Sequence, residues 1–243
     1  MSSPLAALTT REVPSGATLV VPVGSVEQHG PHLPLDTDHA IAATLARRLC
    51  AAGDGPGVPG EAVGPGGLLL GPGLPYGASG EHEGAAGTVS IGTEVLTRVL
   101  VELGRSASRW AARVLFVNGH GGNLDALCAA VPLLRHEGRD AAWWSWSLPD
   151  ADAHAGATET SLLLALDPDR VRSDRIEVGD TRALDVLLPR LRREGVVAVS
   201  PNGVLGDPTR ADAAAGGQAW AQLTAALVAA VAAWAPDDDG RLP

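Results

Sequence analysis

A chain of 243 residues, 45 % of them hydrophobic, can bury its own core as one large domain without disulfide or metal staples. Its formal charge of −10 argues against nucleic acid and anionic membranes as partners, because both demand clustered cations. Only 3 % of the residues are aromatic, so the core must be aliphatic.

In chain order, residues 18–23 form a β-rich run and a polar loop follows over 24–37. Apolar Ile41, Leu45 and Leu49 at fourfold spacing predict a helix over 38–52, stopped by Gly53. Residues 54–67 are rich in Gly and Pro and read as a surface loop. A short strand is expected at 68–70, then an irregular stretch to residue 90. A helix over 93–110 leads into 113–117, the clearest buried strand of the chain. A Gly-rich turn at 118–123 opens a helix that runs to about residue 136.

Residues 141–147 fit a further strand, and a helix is expected around 160–166. Residues 184–193 read as helical in spite of Pro189. The uncharged segment 213–236 is dominated by Ala and interrupted by Gly216, Gly217, Gln218 and Gln222. It is too weakly apolar to span a membrane and is expected to pack as a C-terminal helix. Alternating strands and helices predict an α/β fold with a mostly parallel sheet, and neither repeat nor linker divides residues 1–243. Cys50 and Cys128 read as buried small hydrophobes. The N-terminus lacks a basic region followed by an apolar core, which points to the cytoplasm.

Polar, Gly-rich segments follow the strands ending near 23, 117 and 147. Sites in open α/β sheets form at the carboxyl ends of strands, so these three loops should converge at one edge. In the first, seven of sixteen residues (24–39) are His, Asp, Glu or Gln. Glu27 and His29 point the same way in extended chain, a pairing suited to zinc, manganese or iron. Asp38 starts a helix, where it either caps the end or bridges two metals.

The turn 118–123 lacks the Lys-Ser/Thr of a phosphate loop and the spacing of a dinucleotide fingerprint. Its glycines suit a tight turn that presents His120, either as a metal ligand or as a plain turn residue. Glu159 begins an apolar helix, where a carboxylate also favours the helix dipole. His154 precedes it as a spare imidazole. Together the loops supply a set that fits two divalent ions about 3.5–4 Å apart. Trp144 and Trp146 share one strand face and Trp143 takes the other; core packing is the common fate, stacking on an aromatic substrate the alternative. His32, His39 and His82 are candidates for orienting metal ligands or substrate.

Three motifs in this order, Glu27-Gln28-His29-Gly30-Pro31-His32 with Asp38, Asn118-Gly119-His120-Gly121-Gly122-Asn123, and His154-Ala155-Gly156 with Glu159, resemble the creatininase (creatinine amidohydrolase) family. The resemblance covers about residues 15 to 215. It implies a three-layer α/β/α fold and a homo-oligomeric, metal-dependent amide hydrolase with two divalent ions per subunit. Glu27, Asp38 and His120 would hold one ion. His29, bridging Asp38 and Glu159 would hold the other, and His154 would shuttle the proton beside a catalytic Glu159. Creatinine hydrolases of the family carry Glu two residues after the loop His, where this chain has Gly122; the carboxylate is therefore assigned to Glu159. From the residues themselves, apart from the resemblance, His32, His82, Trp144 and Trp146 are the candidates to meet substrate.

The segments 75–82, 87–94 and 203–209 carry a finer match, to family members that process a modified ribosomal precursor peptide. Such an enzyme would remove the peptide's modified C-terminal Val-Tyr portion. Ala85 and Ala86 stand where the family has an aromatic, in a loop expected to shape the pocket. Two alternatives stay open: a small cyclic amide or formamide as substrate, and a non-catalytic scaffold stabilised by its metals.

Overall fold

The computed structural model describes residues 4–53 and 66–243, so most of the loop expected over 54–67 lies outside the described residues. Strands β1 (Thr18–Val23), β2 (Leu68–Leu70), β3 (Arg113–Asn118) and β4 (Ala141–Ser145) form an all-parallel sheet in the order β2-β1-β3-β4. Register aligns Val20 with Leu70 and Leu115, Val23 with Asn118, and Phe116 with Trp143. Among the described residues seven α-helices accompany them: α1 (Thr37–Gly53), α2 (Thr93–Ala107), α3 (Leu124–His136), α4 (Ala157–Leu166), α5 (Leu184–Glu194), α6 (Val196–Val199) and α7 (Ala213–Ala233).

Both sheet faces are covered, which is why the strands read as continuous apolar runs. Val20, Leu115, Val117, Ala142 and Trp144 pack against Ile41, Leu45 and Leu49 of α1, Leu162 and Leu163 of α4, and Trp220 and Leu227 of α7. Leu19, Val21, Val23, Val114, Phe116 and Trp143 pack against α2 and α3 on the other side. This is the three-layer arrangement that the sequence implied. A satellite cluster joins Leu187 and Leu191 of α5 to Val196, Val199 and Leu205.

Several boundaries differ from expectation, each for a local reason. Helix α2 ends three residues early, where Ser108 Oγ donates to Gly104 O at 2.7 Å and chain-reversing turns take over. Helix α4 starts three residues early because Asp152 reaches over its first turn and accepts from the amides of Ala157 and Thr158. Strand β4 stops at Ser145, the partner of the last β3 residue Asn118, so Trp146 lies beyond the ladder. Helix α5 accommodates Pro189. Cys50 is buried on α1 and Cys128 partly buried on α3. Helix α7 packs on α4 closely enough that a Cβ at Gly216 would lie 1.9 Å from Ser161 O. Among the described residues no helix is long and apolar enough to cross a membrane.

The outer edge of β4 is partly covered: Trp143 N donates to Gly240 O at 2.9 Å and Leu242 N to Trp143 O at 2.8 Å. From β1 the chain goes one way to β2, then returns across to β3 and β4. The loops leaving β1 and β3 therefore diverge, opening a crevice at the switch point of the sheet.

Candidate metal centre

The crevice is walled by four loops, one from each strand. Gly24 N donates to Leu74 O at 2.9 Å and Gly119 N to Val23 O at 2.8 Å, which ties the exits of β1, β2 and β3 together. Asn123 completes the clamp: its Oδ1 accepts from Ala78 N at 2.8 Å, and its Nδ2 donates to Gly24 O at 3.0 Å. Glycine is required at 119, since a Cβ there would lie 2.2 Å from Asp38 O. Its absence lets the β3 exit rest on the first turn of α1, with Asp38 and His120 facing one another.

Six predicted residues come together here. Asp38 lies between two imidazoles, its Oδ1 3.3 Å from His29 Nε2 and its Oδ2 3.2 Å from His120 Nδ1. Glu27 Oε2 lies 3.2 Å from His120 Nε2, and Glu159 Oε2 3.8 Å from His29 Nε2. His154 Nδ1 is 3.7 Å from Glu27 Oε1. Each of these side chains is less than a tenth exposed. Among the described residues three groups bring ligand atoms within 4.8 Å of one another: Glu27 with Asp38 and His120; His29 with His154 and Glu159; and Glu27 with His82 and His154.

Both carboxylate oxygens of Glu27, His29 Nε2 and Asp38 Oδ2 are buried with no partner in hydrogen-bond geometry. A buried polar atom left without a hydrogen-bond partner costs roughly 1–3 kcal/mol, so a cluster of them calls for a ligand. Imidazole nitrogens and carboxylate oxygens aimed at one another are the donor set of a divalent transition-metal ion, and these residues fit one. His29 Nδ1 donates to Glu27 O at 3.2 Å, which turns Nε2 inward toward Asp38 and Glu159.

The electrostatics agree. Burial pushes the Glu27 carboxyl up to about 8, with His120 pulling against it. Burial likewise lifts Glu159 to about 7. Burial opposes charge on His29, yet Asp38, Glu159 and Glu27 outweigh it and raise the imidazole to about 10. His120 is raised well above its ordinary value in the same way, against burial, by Glu27 and Asp38. For Asp38, burial is overcome by His29 and His120, which hold it below the usual carboxylate range. The cluster attracts positive charge, as a proton or as a cation.

A second group lies behind the first. Burial keeps His154 well below its ordinary value and His82 down at about 3, so both rings are neutral. His154 Nε2 lies 2.8 Å from Gln28 O, so this nitrogen carries the hydrogen and Nδ1 faces the cluster. The Gln28 amide donates to His82 Nδ1 at 2.9 Å and Gly203 O at 3.1 Å, which leaves the proton of His82 on Nε2, 3.1 Å from Glu27 Oε1. His154 is also held by its main chain, which pairs with Leu205. Glu159 Oε2 accepts from Ala155 N at 2.7 Å.

Of the remaining predicted residues, His32 is fully buried with Nε2 2.8 Å from Thr160 Oγ1. Trp144 sits in the core, while partly exposed Trp146 donates from Nε1 to Gly119 O at 3.2 Å. His39 belongs to none of the three ligand groups and lines a separate surface pocket with Asp36, Arg47 and Arg170. Sequence reasoning missed Gln28 and Glu81. The alternation that singles out Glu27 and His29 turns Gln28 away from them, and only the fold carries it to His82 and His154. Glu81 stands beside His82 in the segment 75–82 that carries the finer match, but nothing in that segment points it at His120.

The creatinine amidohydrolase family model matches residues 6–231. The chain is 52 % identical over 241 residues to a mycofactocin precursor peptide peptidase of Mycolicibacterium smegmatis, covering 99 % of this chain and 95 % of that one. It is 52 % identical to the peptidase of the same name from Mycobacterium tuberculosis H37Rv, over 98 % of this chain and 94 % of that one. A creatinine amidohydrolase of Pseudomonas putida is 28 % identical over 65 % of this chain and 67 % of its own. Among solved structures, a tryptophan-to-alanine mutant of creatininase superposes with a TM-score of 0.76 at 23 % identity, covering 97 % of this chain and all of its own. A manganese creatininase superposes with a TM-score of 0.74 at 24 % identity, over 95 % of this chain and 98 % of its own. Motifs, fold and comparisons agree that the chain belongs to the creatininase family.

Proposed function

We propose that this chain is the metal-dependent peptidase of mycofactocin biosynthesis, hydrolysing an amide bond to release the modified C-terminal Val-Tyr portion of the precursor peptide. The observation that carries this reading is 52 % identity over 99 % of the chain to a peptidase so named. The buried donor set supports it. Glu27, Asp38 and His120 would hold one divalent ion, and His29, Asp38 and Glu159 a second. Zinc, iron or manganese suits such ligands, and solved relatives include a manganese form and a zinc–zinc form. Bound ions supply Lewis acidity, polarising the scissile carbonyl and lowering the pKa of an attacking water.

The protein's own groups do the rest. His154, neutral and tethered at Nε2, accepts a proton at Nδ1 and returns it to the departing amine. Gln28 holds that ring and His82 in fixed tautomers. Glu159, anchored by the Ala155 amide, fixes the carboxylate wall beside His154. Of the groups expected to meet substrate, Trp146 is partly exposed beyond β4, whereas His32, His82 and Trp144 are buried. The reading includes a cytoplasmic homo-oligomer, the latter checked by light scattering.

The test is mass spectrometry of modified precursor peptide incubated with metal-loaded protein, with and without chelator. Chelator-sensitive release of the Val-Tyr fragment is expected. An intact peptide with fully metallated protein overturns the peptidase reading and turns attention to cyclic amides and formamides.

A further inference from the structure

Glu81 belongs to none of the three ligand groups, yet it touches the centre. It lies in the single turn Gly80–His82, which follows Ala78, the residue clamped by Asn123. Its Oε1 is 3.4 Å from His120 Nε2 and 4.0 Å from His82 Nε2, with the side chain about one-third exposed at the rim (32 %). Opposite stands Gly122. A Cβ built there would lie 2.7 Å from Glu81 Oε1, 2.4 Å from His120 Nε2 and 2.3 Å from Ala78 O. Any side chain at 122 would take the notch through which Glu81 reaches the imidazole.

His120 is placed with its two nitrogens toward different carboxylates. Nδ1 faces Asp38 Oδ2 at 3.2 Å, while Nε2 faces Glu27 Oε2 at 3.2 Å, Ala78 O at 3.2 Å and Glu81. Glu27 is committed to the ion, which leaves Ala78 O, the hydrogen-bond acceptor of Nε2, and Glu81, at ion-pair distance from it. Of the two, only Glu81 carries charge. A carboxylate on the far nitrogen of a ligand imidazole fixes its tautomer and raises its basicity.

We propose that Glu81 is a positioning residue of the metal centre, reaching across the notch left by Gly122 to hold His120 through Nε2 so that Nδ1 faces the ion beside Asp38. The inference rests on the metal-dependent reading above and adds to it a carboxylate that meets the ion only through His120.

The experiment is competition for Zn²⁺ against a chromophoric chelator, with stoichiometry by elemental analysis, on wild type, Glu81→Ala, Glu81→Gln and Glu83→Ala. Glu83 is an exposed neighbour and serves as the charge control. Glu81→Ala is expected to weaken Zn²⁺ binding roughly 10–100-fold, as loss of such outer partners does. Glu81→Gln, which keeps shape and an acceptor, recovers part of that loss, and Glu83→Ala behaves as wild type. Circular dichroism of the metal-free proteins checks folding; if Glu81→Ala is unfolded, Glu81→Gln alone decides, by a measurable weakening or none. Wild-type affinity in the folded Glu81 variants overturns the inference and leaves the proposed function standing. Wild-type protein that takes up none of Zn²⁺, Fe²⁺ and Mn²⁺ overturns the proposed function, and this inference with it.

Discussion

Asp38 carries the largest share of the site's geometry, standing between His29 and His120 while it starts helix α1. Its replacement separates the catalytic reading from the scaffold reading. Asp38→Ala is expected to lose bound metal and activity while circular dichroism stays that of a folded protein; a variant that fails to fold supports the scaffold. His154 tests a different role. His154→Gln is expected to lower kcat roughly 10²–10⁴-fold with metal content unchanged, the signature of a proton-transfer group. Loss of metal in that variant would make His154 a ligand instead. Glu27, His29, His120 and His154 were legible in the sequence because each stands in a polar or Gly-rich run past an apolar strand, and Asp38 and Glu159 because each opens the helix that follows such a run. Gln28 and Glu81 were not, since their partners lie 54 to 175 residues away for Gln28 and 39 residues away for Glu81's contact with His120.

At the scale of elements, the loops are fixed by close backbone approach. Gly119→Ala would drive a Cβ into Asp38 O and push the β3 exit away from α1. Strain of this kind costs about 1–3 kcal/mol. In a domain of this size that lowers Tm by roughly 2–4 °C per kcal/mol, readable by calorimetry. An unchanged Tm would show that α1 yields at no cost. The apolar runs made β1 and β3 plain from sequence, and fourfold spacing made α1 plain. Trp146 was assigned to β4 because alternation persists in the sequence to residue 147, whereas the ladder stops when β3 runs out at Asn118. The early start of α4 was hidden because its cap, Asp152, lies five residues before the first amide it binds.

For the whole molecule, strand order matters more than any single element. The switch between β1 and β3 opens the crevice, and β2 and β4 carry the remaining walls. The sequence predicted convergence of three loops; the fourth, after β2, read only as an irregular stretch because three-residue β2 gives little pattern. Any ion that binds must displace protons from His29, held up at about 10, and from His120, also raised. His29 is protonated below that value and His120 is held toward its protonated form, and the raised Glu27 and Glu159 carboxyls also hold protons in this range, so affinity is expected to rise with pH across roughly pH 6 to 8, by up to about tenfold per unit for each proton released. Titration calorimetry in buffers of different ionisation enthalpy reads that release, and a buffer-independent heat would contradict it. Metal loading should also raise Tm, because the ion binds the folded chain, where its ligands from the segments after β1, β3 and β4 stand together, and not the unfolded one.

The most direct test of the central claim is anomalous diffraction from crystals of the metal-loaded protein, collected at the absorption edge of the ion. Two peaks about 3.5–4 Å apart, with Asp38 between them and Glu27, His29, His120 and Glu159 around them, are the expected result. No peak in this crevice, or one held only by residues outside that set, would contradict the account.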